Sequence, residues 1–221
     1  MSKKFRDELK VLEEDVSGMG ALASGMLRDS FSALKKGDGK LAAKVVSKNA
    51  DIEEMDERIE DDALKLIALY QPMARDMRSV AISLKMITYI ARIGKYAKDI
   101  AVHARFIAER GENGVPAKLS EMAEAVFSMI DEALGAYRTR DVSRLSDFGE
   151  RDDKVDAMFS ELMNSCETSA FKKKISLAYC VDYLMVARYF ERCGDHACKM
   201  AEKVHYMVTG ERIDFNRPRA H

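Results

Sequence analysis

The sequence predicts an all-α fold of two pseudo-symmetric, antiparallel three-helix bundles arranged as a six-helix tandem repeat. Apolar residues recur at helical spacing through six long segments that are separated by short breaks. Fourteen methionines, many alanines and only three prolines favour helix over strand. A shift of 100 residues aligns the third segment with the last, which indicates an internal duplication. The aligned pairs are Leu84 with Leu184, Tyr89 with Tyr189, Arg92 with Arg192, Gly94 with Gly194, Ala97 with Ala197 and Ala101 with Ala201.

Three helices are predicted in the first half, over residues 5–36, 40–70 and 73–110. Gly37-Asp38-Gly39 ends the first helix, because glycine adopts the left-handed conformation that commonly terminates helices. Pro72 separates the second helix from the third, because proline biases the preceding residue away from helix. The second helix is very acidic between residues 51 and 62, and we interpret this run as a solvated face.

The loop 111–116 falls almost at the midpoint, so we place the boundary between domains 1–112 and 113–221 there. Helices are predicted over 117–138, 141–171 and 175–209, with Asp141 as the N-cap of the fifth and Gly210 ending the sixth. Three consecutive lysines, 172–174, predict a basic helix end or break. A polar, frayed tail is expected from 211 to 221. Short loops predict antiparallel neighbours.

Composition limits the function. A formal net charge of −1 provides no global field for nucleic acid or anionic membranes. No apolar run approaches the roughly 18 residues of a membrane span, so any membrane role is expected to be peripheral. The four cysteines form no CxxC motif, and we expect reduced thiols in a cytoplasmic protein. No phosphate-binding loop or nucleophile motif is found, and we assign no catalytic residue.

One acidic pair lies in the last helix. Glu191 and Asp195 are four residues apart and therefore share one helix face, which also carries Leu184 and Ala187. Gly194 lies beside them in mid-helix, where glycine costs about 1 kcal/mol relative to alanine. Such a glycine is easier to explain where another group approaches the backbone closely. The pair is therefore a candidate cation site.

A second acidic pair lies in the fifth helix. Asp152 and Asp156 share a stripe with apolar residues, where an ionised carboxylate is costly unless it is paired or metal-bound. Antiparallel packing could bring this pair together with Glu191 and Asp195. Four carboxylates with few histidines favour Mg²⁺, Mn²⁺, Ca²⁺ or iron.

Other interpretations of these residues remain open. Acidic pairs spaced by four also occur on solvated helix faces, where they bind nothing. Arg192 could replace a metal by a salt bridge, but we expect it to lie on a different face and to pair across helices or at a partner surface. His196 adjoins Asp195 and could donate a hydrogen bond from outside the ligand set.

The equivalent positions of the first half have lost their acidic character. Asn49 and Glu53 align with Asp152 and Asp156 at an offset of 103 residues, and Ala91 and Lys95 align with Glu191 and Asp195 at an offset of 100. One carboxylate beside one ammonium binds no cation. We therefore expect an ion pair between Lys95 and Glu53, and one metal site rather than two.

Two motifs carry a resemblance to a known family. Residues 71–78 read QPMARDMR and are followed by ARIG at 91–94, while residues 191–197 read ERCGDHA. Together they resemble the two repeats of the PhoU family, and the resemblance covers nearly the whole chain. It implies two three-helix bundles whose acidic motifs bind iron or other transition metals, such as manganese or zinc, or magnesium. Carried over to this sequence, the metal ligands are Asp152, Asp156, Glu191 and Asp195.

The resemblance also implies a function. Members of this family are cytoplasmic regulators of phosphate uptake and phosphate-starvation signalling. They act with the ATPase subunit of a phosphate ABC transporter and with a sensor histidine kinase, often as homodimers, and reach the membrane only through these partners. They are not known as enzymes. Two alternatives stay open: an accessory protein of a low-affinity phosphate permease, and a carboxylate metal-dependent enzyme.

Overall fold

The computed structural model describes residues 2–111, 114–171 and 176–215. These residues form seven α-helices and no strand, which confirms the predicted all-α fold. The long helices α1, α4 and α7 contain 34, 36 and 33 residues and are each about 50 Å long. The predicted domain boundary at 112/113, the break at 172–174 and the tail beyond 215 lie outside the described residues. The helices are α1 (Lys3–Lys36), α2 (Gly39–Ser47), α3 (Asn49–Tyr70), α4 (Ala74–Glu109), α5 (Ala117–Thr139), α6 (Phe148–Phe171) and α7 (Leu177–Thr209).

Capping residues set the ends of several helices. Gly37 ends α1 and Gly210 ends α7, both at positive φ (62° and 81°), as the sequence predicts. Asp38 begins α2, because its carboxylate accepts two backbone N–H groups of the first turn at 3.0 and 2.9 Å. The Ser176 hydroxyl caps α7 in the same way, at 3.0 Å from the backbone nitrogen three residues on.

Two helix boundaries differ from the prediction. The helix expected over 40–70 breaks at Lys48, whose N–H is shared among the carbonyls of the preceding turn, so that α2 and α3 are separate helices. The helix expected from Asp141 begins only at Phe148. The Asp141 carboxylate accepts the Ser143 N–H at 2.9 Å, and this local turn competes with helix formation.

The helices form two three-helix bundles that share one hydrophobic core. The first contains α1, α4 and the broken pair α2–α3, and the second contains α5, α6 and α7. Between the bundles, α4 packs along α7 and α1 packs against α5. Phe31 of α1, Phe127 of α5 and Phe190 of α7 make edge-to-face contacts across this boundary, with ring centroids 5.4–6.2 Å apart.

The duplicated glycines bring neighbouring helices together. A Cβ at Gly94 would lie 3.1 Å from Ile52 of α3, and a Cβ at Gly194 would lie 3.3 Å from Asp152 Oδ1 and 3.5 Å from Val155 of α6. Ile52 and Val155 are equivalent at the repeat offset of 103 residues. The group that approaches Gly194 is therefore the neighbouring helix, which carries Asp152 with it.

The acidic run between residues 51 and 62 forms a solvated helix face, as the sequence predicts. Most carboxylates between residues 51 and 62 are exposed, including those of Asp51, Glu53 and Glu57. All four cysteines are buried and free of disulfides. Among the described helices, none is both long and apolar enough to cross a bilayer.

Replacing Phe190 by alanine should reduce the free energy of unfolding by about 3–5 kcal/mol, because a fully buried aromatic ring at the boundary of the bundles leaves a cavity. Urea unfolding followed by circular dichroism measures this change. Phe106→Ala is the matched control, since the Phe106 side chain is 48% exposed and its loss should cost much less. Equal losses in the two variants would contradict the assigned core.

Candidate metal centre

The contact between α6 and α7 places Asp152, Asp156, Glu191 and Asp195 on one side of the second bundle. Asp152 and Glu191 are buried, with 4% and 9% of their surfaces exposed. Asp195 is half-buried and Asp156 lies at the exposed edge. Asp195 raises the pKa of each of the other three carboxylates, so all four belong to one electrostatic cluster.

Burial and like charge disfavour ionisation within this cluster. Burial raises the pKa of Asp152 to about 7, and the charges of Asp195 and Asp156 add to the effect of burial. Burial also raises the pKa of Glu191, again reinforced by Asp195. The same two causes raise the pKa of Asp156. The cluster therefore favours either a bound proton or a nearby cation.

Two buried oxygen atoms of the cluster have no hydrogen-bond partner. These are Asp152 Oδ1 and Glu191 Oε2. An unsatisfied buried acceptor costs about 1–3 kcal/mol, and more when it is charged. Native proteins contain few such groups, so each requires a physical explanation. Asp152 Oδ1 lies against Gly194 at the contact between α6 and α7, whereas Glu191 Oε2 lies 3.6 Å from Arg192 Nε, and a nearby cation would give either atom a partner.

Two arginines of α7 already supply positive charge. Arg188 Nη1 lies 2.5 Å from Glu191 Oε1. Arg192 Nη1 lies 2.9 Å from Asp195 Oδ2, and its Nε lies 3.6 Å from Glu191 Oε2. The expectation that Arg192 pairs away from its own helix is therefore wrong, because the long side chain reaches residues one turn along the helix. The sequence analysis missed Arg188, although its i,i+3 spacing from Glu191 is a visible signal.

The donor set fits a hard or borderline cation in its chemistry, since it is composed of carboxylate oxygens. Its present arrangement is one of ion pairs: within the described ranges, no three Asp, Glu, His or Cys side chains are disposed to hold a metal ion. A cation would have to take Glu191 and Asp195 from the guanidinium groups of Arg188 and Arg192.

His196 packs at the interface between the two bundles. Its ring stacks on Tyr96 of α4, with centroids 5.8 Å apart and planes at 10°, and lies 5.7 Å from the ring of Tyr89. Burial lowers its pKa to about 4, and the positive charge of Arg92 contributes, so the imidazole is neutral near pH 7. Its Nε2 is buried without a hydrogen-bond partner. A supporting role beside the ligands stays a prediction.

The first-half positions form a different arrangement. Asn49 Nδ2 donates to Glu53 Oε1 at 2.7 Å along α3. Lys95 is exposed on α4, and in the described part of the chain it makes no ion pair with Glu53, so the expected ion pair is wrong. The amide four residues away on the same helix satisfies Glu53 without a bridge to α4. Ala91 is half-buried and contributes no ligand atom.

These features define a class of protein: a tandem-repeat helical protein with two three-helix bundles and an acidic cluster in the second. The PhoU domain family matches residues 16–104 and 119–204, one match in each half. The chain therefore belongs to the PhoU family, as its motifs predict.

Individual relatives agree with this assignment. A phosphate-specific transport system accessory protein PhoU homolog from Rhizobium meliloti (strain 1021) is 34% identical over 219 residues, which cover 97% of this chain and 91% of the relative. The crystal structure of PhoU from Pseudomonas aeruginosa superposes with a TM-score of 0.89 at 27% identity, over 94% of this chain and all of that one. The phosphate transport system regulatory protein PhoU from Streptococcus pneumoniae supports the fold, with a TM-score of 0.87 at 24% identity over 95% and 99% of the two chains.

In the metal-free protein, Asp152 should lower the free energy of unfolding as pH rises from about 4 to about 7, because folded Asp152 retains a proton that the unfolded chain releases. His196 acts in the opposite direction between about pH 4 and its ordinary pKa of 6.5, because it is neutral in the folded protein and protonated in the unfolded chain. The pKa shift of Asp152 alone corresponds to a loss of roughly 2–4 kcal/mol. Urea unfolding in the presence of a chelator at several pH values measures it.

Asp152→Asn should remove the Asp152 contribution, so that between pH 4 and 7 its free energy of unfolding falls less, or rises more, than that of the wild-type protein, and it should be more stable than the metal-free wild-type protein at pH 7.5. Asp153→Asn is the matched control, because it removes the same charge from an exposed neighbouring position. A pH dependence that persists unchanged in Asp152→Asn would show that another group controls it.

Proposed function

We propose that this chain is an accessory protein of phosphate-specific transport that regulates phosphate uptake and phosphate-starvation signalling from the cytoplasm. Its membership of the PhoU family over both halves carries the proposal. Relatives that align over nearly the whole chain are named as accessory proteins of the phosphate-specific transport system. The proposed partners are the ATPase subunit of a phosphate ABC transporter and a sensor histidine kinase, and the proposed assembly is a homodimer.

The role we propose is that of a non-enzymatic adaptor. The carboxylates of Glu191 and Asp195, which an enzyme would use, are engaged by Arg188 and Arg192, and the oxygens of Asp152 and Glu191 without a hydrogen-bond partner are buried. Such an arrangement suits a site whose occupancy changes the packing of two helices.

The second part of the proposal is that Asp152, Asp156, Glu191 and Asp195 bind a transition-metal ion such as iron, manganese or zinc, or magnesium. The unsatisfied oxygens of Asp152 and Glu191 support it, as does the raised pKa of Asp152. A bound cation would supply the positive charge that a proton and two guanidinium groups supply otherwise. The first half lacks an equivalent donor set, so one site per chain is proposed.

Metal analysis tests the site. Protein purified without chelator or affinity metal should contain at least one transition-metal ion per chain by mass spectrometry, and Glu191→Gln/Asp195→Asn should lose it. Metal at 100 times its dissociation constant should stabilise the wild-type protein by about 2.7 kcal/mol, because only the folded state binds it.

The matched control for the metal experiment is Asn49→Ala/Glu53→Gln, which changes the equivalent first-half positions. This variant should retain the metal. Equal metal content in the two double variants, or no metal and no stabilisation in the wild-type protein, would contradict the proposed site.

A pull-down tests the adaptor role independently of the metal. The purified chain should retain the ATPase subunit of the phosphate transporter from the same organism, with a yield that depends on phosphate. Absence of binding at both high and low phosphate would contradict the proposed role, whatever the metal content.

A further inference from the structure

A cavity of about 790 Å³ lies between the first half of α4 and the C-terminal end of α7. The segment 212–214, which follows α7, forms part of its wall. None of the four carboxylates of the candidate metal centre lines it. The cavity is therefore a separate feature, at the interface between the two bundles.

The charges that line this cavity are unbalanced. Two carboxylates and five cationic side chains contribute to the wall. Lys199 pairs with both carboxylates, since its Nζ lies 2.9 Å from Glu202 Oε1 and 3.8 Å from Asp214 Oδ1. Glu202 also accepts the Phe215 N–H at 3.2 Å. Within the described residues, four cationic side chains of the wall have no carboxylate partner, namely Arg78, Lys85, Lys203 and Arg212.

Arg78 is the most constrained of these cations. Its guanidinium packs against Gly210, where a Cβ would lie 3.6 Å from the Arg78 Cζ. The negative end of the α7 dipole stabilises a cation at this position. The Arg78 Nε is nevertheless buried without a hydrogen-bond partner. A guanidinium held in place without a carboxylate partner is suited to bind an oxyanion through its terminal N–H groups, because their planar arrangement matches phosphate and carboxylate.

The volume of the cavity and its apolar lining residues favour a ligand larger than a bare anion. Cavities of roughly 300–1,000 Å³ accommodate ligands of drug or nucleotide size, and an inorganic phosphate would occupy only a small part of this one. Met77, Ile82 and Ile213 supply an apolar wall. Tyr206 adds an aromatic ring, with the Arg212 guanidinium 5.0 Å from its centroid. An apolar or aromatic group would pack against this part of the wall.

We propose that the cavity binds a phosphorylated small molecule with an apolar or aromatic body, of the size and chemistry of a nucleotide. Arg78 and Arg212 bind its phosphoryl group, and the wall around Tyr206 packs against its body. The site occurs once per chain, because Ala178 and Met185 occupy the repeat positions of Arg78 and Lys85. This binding goes beyond the proposed transport function and requires neither the transporter nor the metal.

Isothermal titration with adenosine monophosphate tests the proposal on the full chain. A chelator in the buffer keeps the carboxylate cluster free of metal, so the result does not depend on that site. We expect one molecule bound per chain, with affinity at least about tenfold weaker in Arg78→Gln, since losing a charge-assisted hydrogen bond costs about 1.5–3 kcal/mol. Inorganic phosphate, titrated separately, should bind at least about tenfold more weakly than the nucleotide.

Two variants make the test specific. Arg75→Gln removes the same charge from an exposed position of α4 outside the cavity and should leave nucleotide affinity unchanged. Ala81→Phe retains every charge but fills part of the cavity and should abolish binding. Circular dichroism and thermal unfolding establish that each variant is folded.

Three results would overturn the proposal. The first is no binding of the nucleotide at millimolar concentration. The second is an equal loss of affinity in Arg78→Gln and Arg75→Gln, which would indicate general surface electrostatics. The third is phosphate binding as tight as nucleotide binding, which would remove the role of the apolar wall.

Discussion

The close approach of α6 to α7 at Gly194 is the constraint on which the second bundle depends. The missing side chain lets Asp152 and Val155 lie against the α7 backbone. Val155 contributes apolar packing, whereas Asp152 brings a carboxylate into a buried position beside Asp195 and Asp156. The same contact therefore produces tight helix packing and places carboxylates where their negative charge is unfavourable. A bound proton, the two arginines and, in our proposal, a metal ion offset this charge.

The two repeats share this packing but differ in electrostatics. In the first repeat, Ile52 packs on Gly94, and the neighbouring polar residues satisfy each other along α3 through the contact of Asn49 with Glu53. In the second repeat, the residue equivalent to Asn49 is Asp152, and its Oδ1 is unsatisfied. The same packing is therefore compatible with satisfied polar side chains in the first repeat and with an unsatisfied buried carboxylate oxygen in the second.

The interface between α4 and α7 joins these halves and carries features that neither repeat contains alone. His196 stacks between helices on Tyr96 and is neutral near pH 7 because of its burial. Further along α7, cations from both helices that have no carboxylate partner among the described residues line one cavity. Because both features use residues of α4 and α7, a change in the packing of one bundle against the other would alter them together.

The sequence alone determined the helices, the duplication, the family and the composition of the acidic cluster, because helical periodicity and repeat offsets are local properties of the chain. It placed the glycine ends of α1 and α7 correctly, but it missed the break at Lys48 and the turn after Asp141, where weak local hydrogen bonds decide the conformation. Only the tertiary structure decided which charges pair. Arg192 pairs with Asp195 on its own helix. Glu53 is bonded by Asn49 rather than by Lys95. The Arg78 guanidinium packs against Gly210 at the end of α7, more than 120 positions further along the chain. Pairing depends on distances across helices and on side-chain reach, which no spacing in the sequence specifies.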